Sequence, residues 1–204
     1  MRASGAGYAA VMALSHWWLL VLADRRLVDE VDGRFAAGLA ALGEDKAGTS
    51  AYADWQRAGE VVNHDAFPGY NALMDHYNPA ALNGVSLTVF DRLEDDNCFA
   101  LVSLRRCAPC AVLWQALGSP RAGHLPGARG NMLLRADEVP AARLAVERAY
   151  EGLNMDEAVS CAMALAGHSN DEPAVREAIE ALPRALREAE RRQRGLITVS
   201  RHAM

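Results

Sequence analysis

The sequence predicts an α+β fold: one helix-rich domain built on a small, mostly antiparallel sheet. Three observations carry this. Long amphipathic helical patterns flank the middle of the chain, two β-branched apolar runs lie at 85–104, and a further apolar run, Leu196–His202, closes it. The chain has 204 residues, 51% hydrophobic and 23% charged. That balance excludes intrinsic disorder and matches an ordinary globular domain. A chain of this length buries about 70% of its surface on folding, enough for one sizeable core. One domain over 1–204 follows, with a helical part at about 1–80 and a mixed part at about 85–204.

The first apolar run, Tyr8–Ala23, reads as a helix buried on all sides. Arg2 before it and Val21-Leu22-Ala23 at its end also fit a signal peptide. Ser15-His16 and the pair Trp17-Trp18 argue instead for a core element of a cytoplasmic protein, and the run is short for a membrane span. Asp24–Leu42 is amphipathic, with Leu27, Val31, Phe35, Leu39 and Leu42 at helical spacing and Gly43 as its stop. GEDKAGTS at 43–50 reads as a polar loop, and Ser50 as the cap of a helix to about Val62.

A loop-rich stretch, Asn63–Gly84, holds one helical segment at Ala72–Tyr77. Val85–Asp91 and Cys98–Leu104 then predict the two arms of a hairpin around RLEDDN at 92–97. Pro109 suits a first helical turn and Gly118 its end. A short strand is predicted at about 131–135. Asp137 and Asn154 are cap residues for helices to about Glu151 and Gly167. The last helix runs from Pro173 to about Arg194, with Pro183 as a kink, and the terminal strand spans 196–202.

Charge is uneven: residues 1–97 carry net −7 and residues 98–204 net +2. Neither half has the concentrated basic surface that nucleic acid requires. The Arg and Glu residues of the last helix, including Glu180–Arg184, Glu188–Arg192 and Glu190–Arg194, read as a salt-laced face. There is no GxSxG elbow, no phosphate loop and no strand–GxGxxG–helix unit.

Three groups of residues carry chemical possibilities. Cys107-Ala-Pro-Cys110 follows an apolar strand and opens a helix, and over about Cys98–Gly118 this resembles the active-site turn of thioredoxin-like proteins. The resemblance implies a thiol–disulfide function, with the helix terminus and Arg105 and Arg106 favouring thiolate. No partner for that family's cis-proline segment follows, and no second Cys pair at zinc spacing is present. The second group is His64, Asp65, Asp75 and His76, which flank Phe67, Tyr70 and Tyr77. These are weak candidates for metal or small-molecule binding, and the aromatics are candidate interface anchors. The third is the acidic set Asp91, Glu94, Asp95 and Asp96, a docking patch for a basic partner.

The leading expectation is a non-catalytic cytoplasmic protein-binding protein, of which a bacterial immunity-type, toxin-neutralising protein is the most concrete form. It would use no cofactor and no metal, and would bind neither nucleic acid nor membrane. The alternatives are a thiol–disulfide oxidoreductase at Cys107 and Cys110, or a metal- or small-molecule-binding protein at the 64–77 loop. The oligomeric state stays open.

Overall fold

The computed structural model describes residues 15–58, 67–91, 98–167 and 169–202. Its centre is a four-stranded antiparallel sheet of order β2–β1–β4–β3, where β1 is Ser15–Ala23, β2 Cys98–Arg105, β3 Met132–Leu134 and β4 Gly195–His202. In the register, Leu19 faces Leu101 of β2 on one side and Val199 of β4 on the other. Met132 of β3 faces Thr198.

The α+β class is therefore the one the sequence predicts, but two elements differ in type. The first is β1, read from sequence as a helix. All nine of its residues are buried. Trp18, Leu20 and Leu22 enter one core cluster, and Leu19, Val21 and Ala23 enter the other. A central strand covered on both faces reads as a continuous apolar run, which periodicity alone does not separate from a buried helix.

The second is 85–91, read as a hairpin arm. Asn83–Asp91 is a helix, α4, entered directly from a 3-10 turn at Ala80–Leu82. Val85 and Val89, four apart, bury against β1 and β4 with Leu82. Packing of that apolar stripe overrides the strand preference of VSLTV. The predicted strand at 98–104 is present as β2, but it pairs with β1, so no hairpin joins 85–91 to it. Glu94, Asp95 and Asp96 lie outside the described residues, as do His64 and Asp65.

Helices cover both faces of the sheet. On one side lie α1 (Arg25–Glu44) and α4, closing over Leu19, Val21, Ile197 and Val199. On the other lie α2 (Lys46–Ala58), α3 (Tyr70–Tyr77), α5 (Pro109–Leu117), α7 (Val139–Tyr150), α8 (Met155–Ala166) and α9 (Glu172–Arg191), with the one-turn α6 (Ser119–Ala122) following α5.

The expected loop at 43–50 does not form. Helix α1 runs to Glu44 and α2 starts at Lys46, with Asp45 alone between them. Asp45, not Ser50, caps α2: its Oδ1 accepts from the Gly48 N–H at 3.0 Å. Asn154 does cap α8, accepting from the N–H groups of Asp156 and Glu157. Asp171 caps α9 through the Ala174 N–H, and that helix passes through Pro183 to Arg191. Of its predicted ion pairs, Glu188–Arg192 forms. Arg184 instead meets Glu177, Arg194 approaches Asp24, and Glu190 meets Arg143.

Among the described residues, no helix is long and apolar enough to cross a membrane.

Candidate functional site

Cys107 and Cys110 sit where the sequence places them, at the turn from β2 into α5, yet both are fully buried and free. Burial pushes each thiol up to about 12, because an apolar interior disfavours the charged thiolate. The Cys110 thiol donates to Ser200 Oγ at 3.3 Å. Arg106 (φ 56) turns the chain, and its carbonyl accepts from the Tyr70 hydroxyl at 2.7 Å. This turn packs as core, and it presents no accessible, acidified nucleophile of the kind the thioredoxin-like resemblance implies.

The aromatic group is also drawn inward. Tyr70 is buried and also donates to the Leu165 carbonyl at 3.3 Å, Tyr77 is fully buried, and Phe67 packs half-buried against the core. Asp75 and Asp91 are exposed. His76 turns away from its neighbour Asp75, and its side chain is 0% exposed. Among the described residues no group of three His, Cys, Asp or Glu side chains gathers with metal-binding geometry.

What the fold assembles instead is a site around Tyr52, on α2. The ring centres of His76, Tyr77 and Trp114 lie 6.1, 6.3 and 5.6 Å from that of Tyr52. Trp55 lies 6.1 Å away and donates its indole N–H to Gln115 Oε1 at 2.8 Å. The Arg129 guanidinium carbon sits 4.4 Å above the Tyr52 ring, a cation–π contact. Four side chains around Tyr52 each carry a buried polar atom with no hydrogen-bond partner among the described residues: His76 Nε2, the Tyr77 hydroxyl, Trp114 Nε1 and Arg129 Nε. Buried polar groups are almost always satisfied, so the surroundings of Tyr52 are the candidate site of this fold.

Each wall has a local cause. Tyr52 and Trp55, three apart on α2, share one helix face. His76 and Tyr77 end α3, and Trp114 projects from α5. The Arg129 side chain is delivered by a turn containing three left-handed residues, Gly127 (φ 79), Arg129 (φ 51) and Gly130 (φ 80). A side chain at Gly130 would collide with Cys110 Cβ. Bonds from the core pin the turn: the Gly130 carbonyl accepts from Trp18 Nε1 at 2.8 Å and Thr198 Oγ1 at 2.6 Å. Asn131 Oδ1 accepts from the Ser200 N–H at 2.8 Å. A non-glycine residue held in the left-handed region costs energy, and such positions concentrate at functional sites.

Asp45 completes the arrangement. Its Oδ2 lies 2.9 Å from His76 Nδ1. A carboxylate accepts, so Nδ1 carries the proton and Nε2 presents a bare lone pair. Burial holds His76 below its usual range and Arg129 reinforces this, against the opposing pull of Asp45. The Gly48 N–H, and then His76, hold Asp45 below the usual carboxylate range. A Cβ at Gly48 would fall on the Asp45 carboxylate and 2.6 Å from the His76 ring, so the pair needs glycine there. Burial likewise raises Tyr52 to about 12 and Tyr77 well above its ordinary value, leaving both as neutral phenols.

Of the residues singled out from sequence, the structure brings only His76 and Tyr77 into this site. Asp45, Tyr52, Trp114 and Arg129 carried no motif. The one signal for Arg129 was its place between Gly127 and Gly130.

Two clefts lie elsewhere on the molecule. A groove of about 520 Å³ between α7 and α9 includes Leu144, Tyr150, Pro183 and Arg187 in its lining. Another, of about 450 Å³, lies beside the start of α1 and contains Arg25, Arg135 and Arg194. Those cations face Asp29, Asp32 and Asp24, which offsets their charge.

Comparison with protein-family models, with curated proteins and with solved structures finds no match to this chain.

Proposed function

We propose that this protein binds a small molecule rich in hydrogen-bond acceptors at the Tyr52 site. The observation that carries the reading is that Trp114 Nε1, Arg129 Nε, the Tyr77 hydroxyl and His76 Nε2, buried and without a partner among the described residues, all belong to side chains packed around one aromatic ring. Few, well-placed polar groups among aromatic walls are the usual composition of a small-molecule site. Arg129 adds a positive charge, so the ligand is an anion or a strongly polarised carbonyl compound.

The test is thermal melting against a panel of small carboxylates, phosphates and neutral carbonyl compounds. A ligand bound only by the native state raises the melting temperature by mass action. The expected result is a concentration-dependent rise with at least one acceptor-bearing class, lost in Arg129→Met. The reading fails if no class raises it, or if the rise survives that substitution.

A second reading, a cytoplasmic immunity-type protein that neutralises a basic partner, is supported by the net −7 of residues 1–97 and by exposed Asp91. Complementary charge would speed its association. Capture of a basic partner whose association rate is insensitive to salt would contradict that reading.

A further inference from the structure

We infer that the outer edge of β2 is a self-association surface: two copies of this chain pair β2 with β2 antiparallel about a twofold axis at Leu101, joining their sheets into one. This is independent of the reading of the Tyr52 site.

One side chain shows which way the edge points. β2 is an outer strand of the sheet and pairs with β1 alone. At its end, Asn170 Oδ1 accepts from the Arg105 N–H at 2.7 Å, and Asn170 Nδ2 donates to the Arg105 carbonyl at 3.0 Å. Both main-chain groups of Arg105 thus point away from β1, and the Asn170 amide fills the place of a neighbouring strand residue. Backbone polar groups alternate in direction along an antiparallel strand. Ser103 and Leu101 therefore also point outward, and neither has a main-chain partner there among the described residues. Ser103 is exposed and Leu101 is 46% exposed, so water reaches both in a single chain.

What sets this edge apart is its lack of protection. Edge strands are normally guarded by charge, proline or a bulge. From Cys98 to Leu104 there is no charge and no proline. A bulge at Phe99, opposite the Leu20–Val21 step, and Asn170 at Arg105 bound the open stretch without covering it. Leu101 lies across from Leu19, on the face that α1 and α4 close over β1 and β4. It is left as an exposed apolar side chain beside open main-chain groups, which is the combination that an added strand uses.

Asn170 also sets the register. Self-pairing centred on Val102 would place the partner's Phe99 opposite Arg105, where Asn170 already lies. Centred on Leu101, it pairs Leu101 with the partner's Leu101, brings Ser103 level with the partner's Phe99, and stays clear of Asn170. The two leucines then cover each other.

Helix α9 favours the same centre. It runs antiparallel along β2, from Asn170 beside Arg105 to Arg184, whose guanidinium lies 5.8 Å from the Phe99 ring centre. The strand from Arg105 to Phe99 and the segment from Asn170 to Arg184 both span about 20 Å, which puts Leu101 level with the middle of the interval between Glu177 and Arg184. These two side chains pair at 2.7 Å and are both exposed. A twofold axis at Leu101 brings each Glu177 towards the partner's Arg184. The surface is therefore complementary to itself in charge, as a twofold contact requires.

The test is sedimentation velocity on the full chain over about a hundredfold range of concentration, from micromolar upward. A monomer–dimer equilibrium is expected for the wild type. In Ser103→Pro the dimer is expected to weaken at least about tenfold, with the melting temperature of the dilute protein unchanged, because proline there removes an N–H that no bond to β1 uses. Leu101→Lys keeps the backbone and sets like charges on the axis, so it should weaken the dimer equally. Glu177→Arg should weaken it, and adding Arg184→Glu should restore it. A wild type that stays monomeric over the whole range overturns the inference, and so does a dimer that survives Leu101→Lys, which decides the matter if Ser103→Pro does not fold. A dimer indifferent to Glu177→Arg and to the reversed pair overturns the axis at Leu101.

Discussion

Asn131 is the residue on which the position of Arg129 depends most directly, and its removal gives a sharp test. The side chain is fully buried. Its Oδ1 accepts from the Ser200 N–H at 2.8 Å, and its Nδ2 lies 3.3 to 3.4 Å from the carbonyls of Ala128, Arg129 and Tyr77. In Asn131→Ala the Ser200 N–H stays buried and loses its acceptor, which costs about 1–3 kcal/mol. The long contacts of Nδ2 together add about 0.5–1.5 kcal/mol, the size of one ordinary hydrogen bond. The sum is about 1.5–4.5 kcal/mol, large beside the total stability of a domain. For a chain of this size each kcal/mol moves the melting temperature by about 2–4 °C, so a fall of about 3–18 °C is expected. Urea unfolding checks it: the midpoint should drop with the slope unchanged, because the surface exposed on unfolding is the same. A loss below about 0.5 kcal/mol would refute the reasoning, since it would mean that water or a shifted backbone replaces the Asn131 acceptor at no cost. The same variant should weaken any ligand that depends on Arg129, because the turn carrying it loses its ties to Ser200 and Tyr77.

Two further predictions rest on titratable groups. His76 is held below its usual range by burial, so the unfolded chain binds its proton more readily; stability is fully present above about pH 6.5 and falls as the pH drops towards the native value. His76→Phe should flatten that fall, measured as unfolding free energy against pH, and an unchanged slope would assign it to other groups. Cys107 and Cys110, both raised to about 12 by burial, should react with an aromatic disulfide reagent only as fast as the native state opens, while half-buried Cys98 and Cys161 react ahead of them; fast reaction of the 107–110 pair would revive a thiol function.

The sequence was most legible where a helix has one wet face. Asp24–Leu42 and the last helix show their apolar stripes at spacings of three and four, and the structure has α1 and α9 there. It was least legible where an element is covered on every side. Ser15–Ala23 lost the alternation that marks a strand because both faces of β1 are buried. Val85–Asp91 met the opposite difficulty: alternate apolar residues at 85, 87 and 89 mimic a strand, yet Val85 and Val89 also lie one helical turn apart, and Leu87 is left 50% exposed. Only packing against β1 and β4 decides between the two. Asp45 hid inside a stretch rich in turn residues, where its role as cap and as partner of a histidine 31 residues on leaves no local trace.

The site and the misread strand share one cause. The face of the sheet that carries Trp18 turns polar towards one end. There His16, Asn78, Asn131, Thr198 and Ser200 are buried, and four of them are joined: Asn78 Nδ2 donates to His16 Nδ1 at 2.8 Å, Ser200 Oγ donates to Asn78 Oδ1 at 2.5 Å, and the Ser200 N–H donates to Asn131 Oδ1 at 2.8 Å. Satisfied buried networks of this kind rigidify what they hold. Here they hold two things. Asn78 follows the end of α3, so the network fixes the helix that carries His76 and Tyr77. Asn131 follows Gly130, so it also fixes the turn that carries Arg129. The strand that looked like a helix is thus the floor of the network, and the network sets the spacing between an imidazole lone pair and a guanidinium. An apolar residue at Asn78 would remove both the donor to His16 Nδ1 and the acceptor of Ser200 Oγ and so move those two groups relative to each other, which is why the chemistry of this site is written in core residues rather than in a surface motif.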